Sequence, residues 1–385
     1  MSLLLNAKWV RLVWFSALLL ALTGCSLWTG DDGRYNPTPL TEYKAGLSAR
    51  VAWKAQIGKG SGIGFVPQVV GPVVYAAAAD GSLGKFDLAT GSPAWVVKVD
   101  KKLSAGVGSD GKTTAVVTSD GTVVALDDSG QVKWRSKASS EVTVPPVVGL
   151  GVVVVRSGDY RVQAFNAETG ERIWSVQRPG PALALRAPAR MLLLEGLVIS
   201  AIPGGKLIAI NAVSGDVQWE GTVALPKGST DLERVNDVVG LPALSGTLLC
   251  AVSFQGRVVC FDIAAGGRTV WSKDFSSSVG LSSDAAQLYI PNERDAISAF
   301  DLKNGGLAWR QDALRHRKVT SPVALPGAIA VGDFEGFVHF LAPADGQQLA
   351  RILVGGGAIQ APLVATPQGV LVQSGDGLLV LIGLN

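Results

Sequence analysis

The sequence is poor in the side chains that most metalloenzymes and nucleic-acid-binding proteins use. Its 385 residues include three cysteines and two histidines, only 17% are charged, and the formal net charge is +3. Two histidines are too few for a histidine-based metal site or a convincing catalytic triad. A net charge this small excludes the electrostatic footprint of a nucleic-acid binder, so we predict no nucleic acid among the partners.

Long apolar runs are also missing. The N-terminal run 12–22 is shorter than the roughly 20 residues that a membrane-spanning helix needs. Lys8 and Arg11 precede it and give the chain a basic start. A basic start followed by a short apolar core predicts a signal peptide over residues 1–24.

The run ends in Leu22-Thr23-Gly24-Cys25, which resembles a bacterial lipobox. The resemblance implies cleavage before Cys25 and lipid (palmitate among its chains) on the cysteine. The alternative is a secretory signal with a chance cysteine. Ser26 stands where an Asp typically retains such lipoproteins in the inner membrane, which favours the outer membrane. The polar segment 25–45, with Gly and Pro, is expected to be the lipidated cysteine and a flexible tether.

Glycine and tryptophan, with 47 and 10 copies, build a repeat. One unit contains Asp80-Gly81, then Asp87, Thr90-Gly91 and Trp95. Asp-Gly between apolar runs predicts a tight hairpin, and Thr-Gly predicts a second turn before the strand that carries the Trp. Successive repeat tryptophans lie 42, 39, 40, 45, 52 and 38 residues apart, at Trp53, Trp95, Trp134, Trp174, Trp219, Trp271 and Trp309.

A period of about 40 with four short strands predicts an all-β fold, an eight-bladed β-propeller of four-stranded antiparallel blades. We place it over residues 46–385, with a strand at 50–54 supplying the outer strand of the last blade and closing the ring. The predicted blades cover 64–97, 103–136, 142–176, 187–221, 238–273, 277–310, 319–352 and 358–382. The tryptophans are expected to dock each blade on its neighbour, and the recurrent aspartates to shape turns.

The Asp-Gly…Asp…Thr-Gly…Trp pattern resembles the repeat of quinoprotein (PQQ) propellers. Enzymes of that family add an adjacent cysteine pair, a calcium site and a catalytic Asp, whereas no two cysteines are adjacent here. We therefore predict no enzyme activity, no cofactor and no metal. A periplasmic PQQ-like propeller enzyme is the alternative.

Three smaller features have local interpretations. Cys250 and Cys260 flank a hairpin and face each other only if its turn has three residues, so free buried thiols are favoured over a disulfide. The basic segment 315–318 is predicted to be a solvated loop, with a patch for lipid headgroups or a partner as the alternative. His339, in an apolar strand, is predicted to be structural.

Two consecutive connections between blades, 178–186 and 226–237, are longer than the others and lie on one rim. The first carries Leu183, Leu185 and Arg186, and apolar anchors beside an Arg are what protein interfaces concentrate. The second carries Asp231, Glu233, Arg234 and Asp237. The alternative is that the leucines cover the propeller edge and the Arg pairs locally.

Together, the lipobox, the tether, the propeller and segments 183–186 and 228–231 resemble the BamB family, lipoproteins of the outer-membrane β-barrel assembly machinery. The resemblance implies a non-enzymatic scaffold on the periplasmic face of the outer membrane. It would bind the periplasmic POTRA domains of BamA and assist delivery and insertion of unfolded outer-membrane proteins. A general peptide-binding propeller that captures client strands at blade edges is a further alternative.

The family's contact surface carries over as Leu183, Leu185, Arg186 and Asp237, with Asp231, Glu233 and Arg234 as possible additional contacts. A second carboxylate usually stands two residues beyond Asp237, where this chain has Val239. The resemblance therefore implies that one acidic contact to BamA is lost.

Overall fold

The computed structural model describes residues 35–179, 189–226, 228–230 and 232–384. Thr38–Asn385 form one compact unit. Throughout the described ranges the regular secondary structure is β-strand. In the same ranges, no helix has the length and apolarity needed to cross a membrane.

The strands form eight four-stranded antiparallel sheets, the blades, and the predicted eight-bladed propeller is confirmed. In chain order, the strands of blades 1 to 4 are β2 Gln68–Val70, β3 Val73–Ala77, β4 Ser82–Asp87 and β5 Pro93–Lys98; β6 Leu103–Ser109, β7 Thr114–Thr118, β8 Thr122–Leu126 and β9 Val132–Lys137; β10 Val147–Gly149, β11 Val152–Arg156, β12 Arg161–Asn166 and β13 Arg172–Gln177; β14 Leu192–Leu194, β15 Leu197–Ile202, β16 Lys206–Asn211 and β17 Val217–Thr222.

The strands of blades 5 to 8 follow the same plan: β18 Val238–Ser245, β19 Leu248–Ser253, β20 Arg257–Asp262 and β21 Arg268–Asp274; β22 Ser282–Ser283, β23 Gln287–Pro291, β24 Ile297–Asp301 and β25 Leu307–Gln311; β26 Val323–Leu325, β27 Ala328–Gly332, β28 Phe337–Leu341 and β29 Gln348–Leu353; β30 Val364–Thr366, β31 Gly369–Gln373, β32 Leu378–Leu384 and, from the N-terminal side, β1 Ala49–Gln56.

The ring closes through β1, as predicted. It pairs antiparallel with β32, from Ala49 opposite Leu384 to Gln56 opposite Leu378. The apolar core consists of clusters that each join two successive blades, and one of them joins blade 8 to blade 1 through Leu381, Trp53 and Val74. Burial between neighbours, rather than within one sheet, therefore holds the ring together.

Each repeat Trp packs on a glycine of the next blade, which explains why the two recur together. A Cβ on Gly170, for example, would lie 2.6 Å from the Trp134 ring. The Trp–Gly pairs are Trp53–Gly91, Trp95–Gly130, Trp134–Gly170, Trp174–Gly215, Trp219–Gly267, Trp271–Gly305 and Trp309–Gly346. The Trp134 indole also donates to the carbonyl of Ala167 at 2.9 Å, and most of the others make the equivalent bond. The predicted docking role of the tryptophans is confirmed.

The recurrent acidic and amide residues are turn residues, also as predicted. Asp87 Oδ1 accepts the backbone N–H and the hydroxyl of Thr90, both at 2.8 Å. Asn166 binds the amides of Glu168 and Thr169 in the same way. These side-chain bonds hold the connection between the third and fourth strand, where the Trp-bearing strand begins.

The expectation of free thiols at Cys250 and Cys260 is wrong. The two residues face each other directly in the β19–β20 ladder, with a Cα–Cα distance of 4.1 Å, and form a disulfide. Which residues pair depends on the number of residues in the hairpin turn, and the sequence left that number open.

The solvated-loop prediction for 315–318 is wrong for Arg317. This residue is only 2% exposed. Its guanidinium donates to Asp333 at 2.8 Å, pairs with Glu335 and lies over the Phe334 ring. His339, fully buried, binds the same Asp333 oxygen at 2.9 Å, which confirms its structural role.

The described end of the predicted tether is held against blade 7. The Thr38 amide donates to the carbonyl of Arg315 at 2.9 Å, and the Gly46 amide donates to Leu349 at 3.0 Å. Leu40 packs against the cluster between blades 6 and 7. Residues 25–34 of that prediction lie outside the described residues.

Candidate protein-interaction surface

The sequence-predicted contact residues divide into two groups. Leu183, Leu185, Arg186 and Asp231 lie outside the described residues, as does Cys25. The described group is Glu233, Arg234, Asp237 and Val239, all on or directly after the connection 226–237, here called the rim loop.

A single helical turn organises the rim loop. The Thr230 hydroxyl accepts the Glu233 amide at 3.3 Å, and Glu233 Oε2 accepts the Thr230 amide at 3.2 Å. This reciprocal pair is a capping box. The Ser229 amide also donates to Glu233 Oε2, at 2.8 Å, and this bond and the one from the Thr230 amide lower the pKa of Glu233. Glu233 therefore shapes the loop, and its carboxylate is engaged within the chain.

Apolar and cationic groups project from the same loop. Leu232 is 73% exposed, and Leu225 at the start of the connection is 65% exposed. The exposed Arg234 donates through Nε to the carbonyl of Gly228 at 3.1 Å, which anchors its guanidinium beside the turn. Leu225 also borders a 330 Å³ cavity between blades 4 and 5. Exposed leucines beside an anchored Arg match the composition of interface cores.

Asp237 lies beside a cation that the sequence analysis missed. Arg156, half-buried at the end of β11, donates to the carbonyl of Ala201 at 2.9 Å and so bridges blades 3 and 4. Burial lowers the pKa of Arg156, and the charge of Asp237 opposes that shift. The pKa of Tyr160 is raised, first by burial and then by Asp237. The charge of Asp237 thus acts on two residues of blade 3, Arg156 and Tyr160.

Tyr160 occupies a backbone position that the repeat gives to glycine. The turns Asp80-Gly81 and Asp120-Gly121 have a positive φ at the glycine, and Tyr160 takes the same place with φ 66°. A bulky residue in the left-handed region is strained. The sequence signal was Asp159-Tyr160 where other blades have Asp-Gly. We name Leu225, Leu232, Arg234, Asp237, Arg156 and Tyr160 the rim surface.

Val239 lies in the core. It is 1% exposed, pairs with Val252 and packs in the cluster between blades 5 and 6. A carboxylate in this apolar environment would be costly. Asp237, directly before β18, is therefore the acidic residue at this position of the rim.

The residues of a quinone-enzyme site do not fit. The described chain contains no group of three or more His, Cys, Asp or Glu that could hold a metal ion. Its disulfide joins two neighbouring strands of blade 5 and is not a pair of adjacent cysteines. We therefore derive no step through PQQ or calcium.

Comparisons with known proteins agree with the fold. The sequence model of the family described as "Outer membrane protein assembly factor BamB" matches residues 79–311. A relative of that name from Bordetella pertussis is 60% identical over 367 residues, which is 95% of each chain. The crystal structure of BamB from Moraxella catarrhalis superposes with a TM-score of 0.80 at 24% identity, over 87% of this chain and all of that one.

Dehydrogenases share the architecture only. Quinohemoprotein alcohol dehydrogenase from Comamonas testosteroni has a TM-score of 0.67 at 14% identity, over 87% of this chain and 76% of that one. A likeness at this identity shows the fold and not the chemistry. The family match and the 60% identical relative settle the assignment: the chain belongs to the BamB family of outer membrane protein assembly factors.

Proposed function

We propose that this protein is a non-enzymatic scaffold whose rim surface binds the POTRA domains of BamA and so assists delivery and insertion of unfolded outer-membrane proteins. The observation that carries the proposal is the exposure of Leu232 and Leu225 beside Arg234 and Asp237 on one rim, in a chain of the BamB family. In this proposal, the surface that binds BamA also includes Leu183, Leu185 and Arg186 on the preceding connection.

Leu232 supplies the sharpest test. If it is a buried anchor in the complex, Leu232→Ala removes a contact of the kind that costs about 2 kcal/mol, roughly thirtyfold in affinity. The side chain is 73% exposed in the free protein, so the substitution should leave stability almost unchanged. The measurement is a titration of residues 26–385 against the POTRA domains of the same organism's BamA.

Leu150→Ala is the matched control. Leu150 is 57% exposed and lies in the β10–β11 turn, on the face opposite the rim loop. Its substitution should leave the affinity unchanged. Equal affinities for both variants would remove Leu232 from the contact surface, and unchanged binding by Leu185→Ala and Arg186→Ala would remove the preceding connection as well.

Asp237 needs a control of its own, because Arg156 lies in the same environment. Asp237→Asn should weaken binding and also destabilise the protein, whereas Arg156→Gln alters the chain's own charge balance and leaves the Asp237 carboxylate in place. If only the first weakens binding, Asp237 contacts BamA directly. If both weaken it equally, Asp237 and Arg156 act through the shape of the rim surface.

The anchor is a separate part of the proposal. Lipid on Cys25 would hold the protein on the periplasmic face of the outer membrane, since more than one acyl chain gives stable anchoring. Mass spectrometry of the membrane-extracted protein tests it. A mature chain without acyl mass on Cys25 would contradict it.

Client capture at blade edges and enzyme activity are the competing functions. The outer strands pair on one side only, which leaves edges for β-augmentation. Lysines such as Lys98 and Lys137 lie on these outer strands, and charged edges disfavour added strands. Binding of extended client peptides without BamA would support capture, and dye reduction after addition of PQQ and calcium would support an enzyme.

A further inference from the structure

The innermost strands of the blades surround the propeller axis and are uncharged. The first strand of every blade (β2, β6, β10, β14, β18, β22, β26 and β30) contains no Asp, Glu, Lys, Arg or His. Four of these strands, from blades 1 to 4, border a 210 Å³ cavity on the axial side. Among the described residues that line this cavity, the single ionisable one is Arg190, two residues before β14.

Arg190 is fixed by its backbone, and its side chain has no partner among the described residues. Its amide donates to the carbonyl of Gly240 at 2.9 Å, and Ala189 forms a parallel bridge to Gly240. Within the described part of the chain, no hydrogen bond or ion pair reaches the guanidinium. Burial lowers the pKa of Arg190 to about 10, and no neighbouring carboxylate opposes the shift.

A half-buried cation without a counter-charge raises the free energy of the folded state, and an anion bound beside it offsets that cost. The planar guanidinium presents two parallel N–H groups that match a carboxylate. One fixed positive charge balances a monocarboxylate, whereas a phosphate dianion would leave one negative charge uncompensated.

The rest of the cavity favours the same ligand. The Gln68 amide nitrogen makes only a long bond, 3.4 Å, to the carbonyl of Val69, so it is available as a second donor. The Ser109 hydroxyl is already engaged by Thr114 at 3.0 Å and by the Gly111 amide. The apolar part of the lining, which suits a short aliphatic group, consists of Val107, Val148 and Leu192 together with neighbouring residues.

We propose that Arg190, assisted by Gln68, binds the carboxylate of a small aliphatic monocarboxylate in this cavity. The carboxylate could belong to a free acid or to the C-terminus of an extended peptide, since both present the same group. The proposal does not depend on BamA binding.

The test uses the full chain purified in detergent and saturation-transfer NMR with N-acetylvaline and its amide as probes and inorganic phosphate as a competitor. We expect saturation of the acid, at least tenfold weaker signal from the amide, and no loss of the acid's signal when excess phosphate is added. A tetrapeptide that ends in valine, tested as its acid and as its amide, separates the two sources. Binding of N-acetylvaline but not of the tetrapeptide acid indicates a small-molecule site. Binding of N-acetylvaline and of the tetrapeptide acid indicates a site open to chain ends.

Arg190→Gln should reduce the acid's affinity at least tenfold, and Arg190→Lys, which keeps the charge but loses the fork, should reduce it severalfold in a folded protein. Arg178→Gln is the control, because Arg178 pairs with Glu220 at 2.6 Å on the surface, and it should change nothing. Equal binding of acid and amide, or unchanged affinity in both Arg190 variants, would overturn the proposal.

Discussion

The packing of each repeat Trp on a glycine of the next blade predicts the cost of filling that glycine. Gly170 has φ +74° and lies under the Trp134 ring, where an added Cβ would approach ring atoms to 2.6 and 2.7 Å. Gly170→Ala therefore has two costs. An alanine in the left-handed region costs about 1 kcal/mol, and forcing a methyl group into the packed contact adds about 1–3 kcal/mol.

Gly151 in the same blade separates these two costs. Its φ is +76°, nearly that of Gly170, but an added Cβ would meet nothing within 4 Å. Gly151→Ala should thus cost only about 1 kcal/mol. The assay is urea unfolding followed by tryptophan fluorescence and circular dichroism, with the free energy of unfolding compared at equal slopes.

A double substitution tests whether the cost of Gly170→Ala depends on the Trp134 indole. Trp134→Ala alone should cost about 3–5 kcal/mol. In that background the steric part vanishes, so the added cost of Gly170→Ala should fall to that of Gly151→Ala. Equal costs for the two glycines in the wild-type background, or an unchanged Gly170 cost without the indole, would refute the docking account of the repeat.

Three further outcomes follow from the structure. Tyr160→Gly should raise the free energy of unfolding by up to about 1 kcal/mol in a urea melt, since it removes left-handed strain, and should weaken POTRA binding; a less stable variant would show that Tyr160 packing outweighs the strain. Reduction of the Cys250–Cys260 disulfide should lower stability by about 2–3 kcal/mol, the value expected for a loop of this length; an unchanged unfolding midpoint in reductant would contradict this. Burial raises the pKa of Asp333, but hydrogen bonds from His339, the Phe337 amide and Arg317 outweigh it, so the folded pKa is lowered. The stability that the Asp333 carboxylate contributes is fully present above the pKa of an unfolded Asp, about 3.9, and is lost as the pH falls through the lower pKa of the folded state. In urea melts at decreasing pH, Asp333→Asn should therefore lose less stability than the wild type.

Local chemistry was enough to predict the strands, the turns and the number of blades. Asp-Gly and Thr-Gly specify tight turns within a few residues, so the hairpins around Gly81 and Gly91 could be read without tertiary information. The partner of β1 was also predictable, because Trp53 has the repeat position of an outer strand. The regular period made each blade a check on the others.

Contacts between distant segments were not predictable. Arg317 belongs by sequence to a basic run, and only the fold brings it to Asp333, 16 residues later, and to the carbonyl of Thr38, 279 residues earlier. Arg156 gave no signal at all, because its neighbour Asp237 belongs to a different blade. Charge pairing across blades depends on ring geometry, which a linear pattern does not contain.

The departures from the repeat are more informative about function than the repeat itself. Blades 1, 2, 7 and 8 place Gly81, Gly121, Gly336 and Gly377 at the turn where blade 3 has Tyr160, and the backbone conformation is the same. Blade 6 also has a non-glycine residue at this turn, Asp295 with φ 63°, but Asp tolerates the left-handed region better than Tyr does. The backbone conformation at Tyr160 therefore costs stability, and Arg190 places a charge beside the uncharged inner strands. Binding to a partner or ligand is a physical process that can offset such costs.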